Sequence, residues 1–168
     1  MQNKFIKLII ILTINFFIFQ KITANEQFNF EISEIEILEN GNKIQGVKRG
    51  KITANDGIII ESDNFTYDKI QNTLKANGNI IIRDEINDYK IFSDEIVYKK
   101  NDEIIILNSN VKANIYSRYN LNSENIIFSR NDMSLSSENK TTIIDQTNNR
   151  LYNFEKFVFL ISEEILKG

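Results

Sequence analysis

Three passages of the chain carry one phrase: SDNFTY from Ser62, SDEIVY from Ser93 and SENIIF from Ser123. They fall at steps of 31 and 30 residues, and each reads small polar, acidic, polar, apolar, any residue, aromatic. An internal period of this length means that one supersecondary unit lies against the next, because a unit with a single apolar face cannot bury that face alone. The repeat therefore predicts a stack of similar units in one domain, a size that 168 residues allow.

The units are made of strands. From Phe28 onward apolar residues alternate over short runs: Phe28 with Phe30, Ile52 with Ala54, Ile58 with Ile60, Phe65 with Tyr67, and Leu74 with Ala76. Ile80 and Ile82, Tyr89 and Ile91, Ile96 and Tyr98, then Val111, Ala113 and Ile115 continue the series. Ile126 with Phe128, and Phe157 with Phe159 and Ile161, complete it. Period two puts such residues on one face of a strand, where β-branched and aromatic side chains fit. No stretch shows the three- and four-residue spacing of a helix. Turn residues separate the runs at Glu39–Asn42, Asn55-Asp56-Gly57, Asn77-Gly78-Asn79, Lys100-Asn101-Asp102, Asn108-Ser109-Asn110, Arg130-Asn131-Asp132 and Thr147-Asn148-Asn149. Strand starts are expected about every 10 to 12 residues, with the serine and acid of each phrase ending a turn and setting register. Ile58–Ile60, Ile80–Ile82 and Ile104–Leu107 are apolar on both faces. Either a second layer covers their outer side, or isoleucine stands there on an exposed surface.

Composition closes off most chemistry. Cysteine and histidine are both absent, which removes disulfides, thiolate and imidazole catalysis and the usual zinc sites. Acid pairs such as Asp84-Glu85 and Asp102-Glu103 recur as in any chain with 23 carboxylates. One acid per phrase, at Asp63, Asp94 and Glu124, is too few for calcium, which needs several oxygens from one loop. No phosphate-cradling glycine loop is present. The expectation is a protein that is not an enzyme, with no catalytic residues, metal or cofactor. A formal charge of −3 without a basic stripe argues against a nucleic-acid partner.

Residues 1–24 read differently. Lys4 and Lys7 precede an apolar run from Leu8 to Phe19, and QKITA leads to the small residue Ala24. That is the layout of a secretory signal peptide, too short to span a bilayer; an uncleaved membrane anchor is the alternative. The exported domain is then residues 25–168.

The phrases sit in a longer text that resembles a known family. Residues 51–68, KITANDGIIIESDNFTYD, run on to TLKANGNI at 73–80, and YKIFSDEIVY follows at 89–98. This order resembles the organic-solvent-tolerance A-like (OstA-like) domain of the lipopolysaccharide transport machinery. The opening from Phe28 to Gly41 looks most like the N-terminal periplasmic domain of the outer-membrane lipopolysaccharide-assembly protein. The resemblance implies an all-β fold, an open V-shaped β-jellyroll of stacked antiparallel strand repeats. It implies a periplasmic protein associated with the outer membrane, which carries lipopolysaccharide acyl chains in an apolar groove. On the residues alone, the inward side chains are core packing or groove lining. The resemblance assigns Ile52, Ile58, Ile60, Phe65, Tyr67, Leu74, Ile80, Ile82, Ile91, Ile96, Tyr98, Val111, Ile126 and Phe128 to the groove. The strong strand pattern at Phe157, Phe159 and Ile161, close to the end of the sequence, reads as a docking edge, or as the mark of a chain truncated before a barrel. The implied partners are lipopolysaccharide, other β-jellyroll components of the transport bridge and, if a barrel follows, the outer-membrane assembly lipoprotein. A freestanding bridge protein of the same family and a structural, adhesin-like β-repeat protein with a solid core are the competing readings.

Overall fold

The structure, a computed structural model, describes residues 28–168; the predicted leader, residues 1–24, lies outside the described residues. Fifteen strands, all paired antiparallel, form one sheet folded across its middle. They are β1 (Phe28–Glu31), β2 (Ile35–Leu38), β3 (Lys43–Gly46), β4 (Gly50–Ala54), β5 (Ile59–Ser62), β6 (Asn64–Asp68), β7 (Thr73–Asp84), β8 (Tyr89–Lys99), β9 (Ile104–Ile115), β10 (Tyr119–Ser129), β11 (Ser134–Ser137), β12 (Thr141–Asp145), β13 (Arg150–Phe154), β14 (Phe157–Leu160) and β15 (Ile165–Lys167). The expected all-β jellyroll is what the chain forms.

The four long strands β7 to β10 each cross the fold line and belong to two wings. In the first wing, β1, β4 and β5 lead to residues 80–84 of β7, then to 89–93 of β8, 111–115 of β9 and 119–123 of β10, and on to β12 and β13. In the second, β2, β3 and β6 lead to 73–77 of β7, then 95–99 of β8, 104–108 of β9 and 125–129 of β10, and on to β11, β14 and β15. The sheet does not close. Its free rims are β1 and β2 at one end and β13 and β15 at the other.

The repeated phrase builds the crease between the wings. In β8 the inward row is Tyr89, Ile91 and Ser93, then Ile96 and Tyr98, so the inward parity changes immediately after the serine. The same change follows Ser62, across the break between β5 and β6, and follows Ser123 in β10. A strand that shifts parity in this way leaves backbone carbonyls without ladder partners. The serine supplies the donor: Ser62 Oγ shares its proton between the carbonyls of Asn64 (2.9 Å) and Asn77 (2.7 Å). Ser93 does the same for Glu95 and Asn108, both at 2.8 Å. Ser123 donates to Asn125 at 3.0 Å and meets Thr141 Oγ1 at 2.9 Å. The acid that follows takes an amide from across the crease. Asn79 donates to Asp63 at 2.7 Å and Asn110 to Asp94 at 2.6 Å.

Two sequence expectations are corrected here. Asn77-Gly78-Asn79 and Asn108-Ser109-Asn110 are not turns between strands; they lie inside β7 and β9, each of which runs 12 residues. Gly78, Asn79, Ser109 and Asn110 all take positive φ, which bends each strand through a bulge instead of reversing it. At Gly78 (φ +80°) a Cβ would also stand 2.7 Å from the Asp63 carboxylate. The serine and acid of each phrase likewise sit at the bend rather than ending a turn. The doubly apolar runs also resolve. Ile59, Ile81 and Ile106 lie half-buried on the outer face, with no second layer of described residues above them.

Real hairpin turns fall at the wing tips and bond one to the next. In the second wing Lys69 N donates to Asn42 O, Lys100 N to Asn72 O, Arg130 N to Glu103 O, and Ile161 N to Met133 O. In the first wing Tyr116 N donates to Asp88 O and Gln146 N to Arg118 O. Each unit is thus tied to its neighbour at the tip as well as along the strands.

Replacing the crease serine tests this account. Ser93→Ala is expected to destabilise the domain by about 1–3 kcal/mol, the cost of buried acceptors left unmet. It reads as a lower denaturant midpoint at an unchanged slope. Glu124→Ala, at an exposed crease position, is expected to stay within about 0.5 kcal/mol of the parent.

Candidate functional site

The space between the wings is the one apolar interior that the fold creates. Ile52, Ile58, Ile60, Ile80, Ile82, Ile91 and Val111 face it from the first wing, and Phe65, Tyr67, Leu74, Ile96, Tyr98, Ile126 and Phe128 from the second. All fourteen residues assigned to a groove belong to one buried cluster, and none is more than 7% exposed. The two rows touch. Tyr89 packs edge-on against Phe128 with ring centres 5.2 Å apart, Phe28 against Tyr67 at 5.0 Å, and Tyr119 against Phe159 at 5.0 Å. In this state the two rows are packed against each other. A surface hollow of 490 Å³, lined in part by Arg49, Asn79, Phe92, Asp94 and Lys112, lies on the outer side of the crease.

The predicted docking edge is placed differently. Phe157 and Phe159 lie in β14, which pairs with β11 on one side and β15 on the other. Their side chains, and that of Ile161, are buried in the core. The alternation that marked this segment is a core pattern, and the rim passes to β15, three residues long and therefore weak in sequence. At the opposite rim β2 is exposed along its whole length, with Ile37 70% exposed; β13, at the same end as β15, exposes Leu151 at 61%.

Opposite the crease, charged side chains bridge the wing tips. Asp56 stands in the turn between β4 and β5 of the first wing. Lys100, after β8, and Arg130, after β10, come from the second wing, and both donate to Asp56 Oδ2, Lys100 from 2.9 Å. Glu103, from the turn that carries Lys100, accepts from Lys100 and from Arg130 at 2.8 Å. The Tyr98 hydroxyl donates to Glu103 at 2.6 Å and accepts from Arg130 at 2.8 Å and Lys100 at 3.1 Å. Lys100 and Arg130 are only 7% and 11% exposed at the side chain. A second bridge joins Arg118 of the first wing, which also pairs with Asp145, to Glu164 of the second.

These contacts set the charge states. Burial works against the ionised form of Asp56, but the hydrogen bonds from Arg130 and Lys100 outweigh it and hold the carboxyl at about 2. Burial similarly opposes the Lys100 ammonium, yet Glu103 and Asp56 keep its pKa above the usual range. Burial, helped by the bond to Glu103, pushes the Tyr98 phenol up to about 12. At neutral pH the ionised Asp56 therefore faces the Lys100 and Arg130 cations of the opposite wing at the mouth.

Sequence reasoning treated Asp56, Lys100 and Arg130 as turn residues only. A signal was present, because a cation stands two residues beyond each phrase aromatic: Lys69 after Tyr67, Lys100 after Tyr98 and Arg130 after Phe128. Among the described residues no group of acids is arranged to hold a metal ion.

No protein-family model matches the chain, and no curated protein matches it by sequence. The fold has counterparts: 14 chains of solved structures match it. One is the crystal structure of LptH from Pseudomonas aeruginosa, described as the LptA-homologous periplasmic component of the conserved lipopolysaccharide transport device. It superposes with a TM-score of 0.59 at 11% sequence identity, over 76% of this chain and 93% of that one. At that identity the likeness is one of fold.

The mouth cluster predicts an acid-sensitive closure. A carboxyl held below its unfolded value contributes stability that is complete above about pH 5 and is lost as pH falls through about 4 toward 2. The difference in unfolding free energy between the parent and Asp56→Asn, followed by denaturant titration, is expected to be flat above about pH 5 and to shrink over that window. A difference independent of pH would mean that Asp56 does not hold the wing tips together.

Proposed function

We propose that the protein is a periplasmic carrier of lipopolysaccharide, serving its transport and its assembly into the outer membrane. Acyl chains would enter between the wings while the sugars stay in water. The observation that carries this reading is an apolar interior bounded by the two wings of one folded sheet whose rims are free at both ends. LptH, which shares the fold, is named as part of a lipopolysaccharide transport device.

The energetics support carriage without chemistry. Moving an acyl chain of about twelve carbons from water to an apolar interior is worth roughly 10 kcal/mol. Separating the facing rings at the mouth forfeits about 0.5–1.5 kcal/mol per pair beyond their buried area. A cargo with several chains therefore gains enough to open an interior that is closed when empty. The rims β1 and β2 at one end, and β13 and β15 at the other, suit strand addition by neighbouring β-jellyroll domains. Those neighbours would be other bridge components; where a barrel follows, the outer-membrane assembly lipoprotein would be a further partner. Export by the leader would place the domain in the periplasm.

The contact between the two rows favours a second reading, a structural β-repeat protein whose core is solid. Photo-crosslinkers at Phe65, Tyr98 and Ile126 separate the two. The carrier reading expects lipopolysaccharide adducts from these inward positions in cells and none from Ile127, which is 48% exposed on the outer face of β10. Adduct yields at the inward positions no higher than at Ile127 would establish the solid core.

A further inference from the structure

The mouth cluster has a feature that a plain structural clamp does not need. Lys100 and Arg130 are two nearly buried cations that converge on a single oxygen, Asp56 Oδ2. Within their own wing they are balanced only by Glu103, so the second wing alone carries one uncompensated positive charge at this point. The compensating carboxylate is lent by the other wing, from the tip of an Asn55-Asp56-Gly57 turn whose side chain remains 35% exposed. Opening the wings withdraws it.

A donor also remains unused there: Arg130 Nε is buried and unpartnered. Buried donors left unmet cost free energy. A carboxylate presents two oxygens in a plane. A phosphate monoester presents more acceptors, spread tetrahedrally, and carries a larger charge. Arg130 thus keeps a donor that Asp56 does not meet.

We propose that Lys100 and Arg130 form a seat for a phosphate group on the amphiphilic cargo, and that Asp56 is its tethered occupant when the wings are closed. The seat adjoins the interior directly, since the wholly buried Tyr98 ring forms part of the core and its hydroxyl part of the cluster. A cargo entering with its chains between the wings brings its phosphate to the mouth and replaces Asp56 on the same two cations. The exchange lets one event open the wings and neutralise the charge that opening exposes. This assignment rests on the carrier reading and adds to it the anionic group that the protein recognises.

The test uses the full chain and three probes: a phosphorylated lipid A, the same acylated sugar with its phosphates removed, and inorganic phosphate. Binding of the two amphiphiles is measured by displacement of a fluorescent lipid. The expected result is a preference of about tenfold for the phosphorylated form, a difference of 1.4 kcal/mol. Asp56→Asn, which removes the internal competitor, is expected to raise that preference severalfold. Lys100→Met and Arg130→Gln are expected to abolish it. If the cation variants do not fold, Asp56→Asn decides alone, because its effect is a gain that a structural clamp would not produce. Equal affinity for both amphiphiles in the parent and in Asp56→Asn overturns the seat and leaves the carrier reading standing. Failure to bind either amphiphile overturns both. Inorganic phosphate that raises the melting temperature of Asp56→Asn, with no preference between the amphiphiles, assigns the seat to free phosphate and overturns the headgroup assignment.

Discussion

A strand that passes from one wing into the other must change which side chains face inward, and at that step its neighbours' carbonyls lose their ladder partners. The buried hydroxyl of a serine meets this need at Ser62, Ser93 and Ser123, and the amide–carboxylate pairs Asn79–Asp63 and Asn110–Asp94 close the outer side of the bend. Remove that provision and the long strands have no reason to fold at the same height. The two apolar rows would then no longer oppose each other. Everything else in the molecule, from the core to the mouth, presupposes this alignment.

Alignment at the crease determines what meets at the opposite side. Because every long strand bends at an equivalent point, the turns of each wing form a level row and carry their charges to a common line. Asp56 faces Lys100 and Arg130 across 44 and 74 residues of sequence, and Arg118 faces Glu164 by the same geometry. Buried ion pairs contribute little net stability once desolvation is counted. What they fix is register: Asp56 and Arg118 each meet a partner on the opposite wing, so the pairs set which turn faces which.

The fold was largely legible. Period-two alternation placed Ile80 and Ile82, Ile91, Ile96 and Tyr98 on one face, and the repeat spacing announced stacked units; the paired strands follow both. Illegible were features in which one sequence pattern has two structural solutions. Asn-Gly-Asn satisfies a hairpin turn and a positive-φ bulge equally well, so Asn77–Asn79 read as a turn when it is a bend within β7. The strong alternation at Phe157 and Phe159 fits an edge strand and a covered one equally, and only the pairing of β15 separates them. The mouth cluster was hidden for another reason. Asp56 is far in sequence from its partners, and a charged turn residue looks the same whether it meets water or an opposing wing.

The tip-to-tip bonds from Asn42 through Met133 have an implication for how such a chain can change size. Each rung touches only the rungs beside it, so a copied hairpin of about thirty residues could be spliced in at the middle without disturbing either rim. The molecule would grow by two strand spacings, about 10 Å. Its length is thus an adjustable dimension, open to gene duplication in a way that the span of a closed barrel is not.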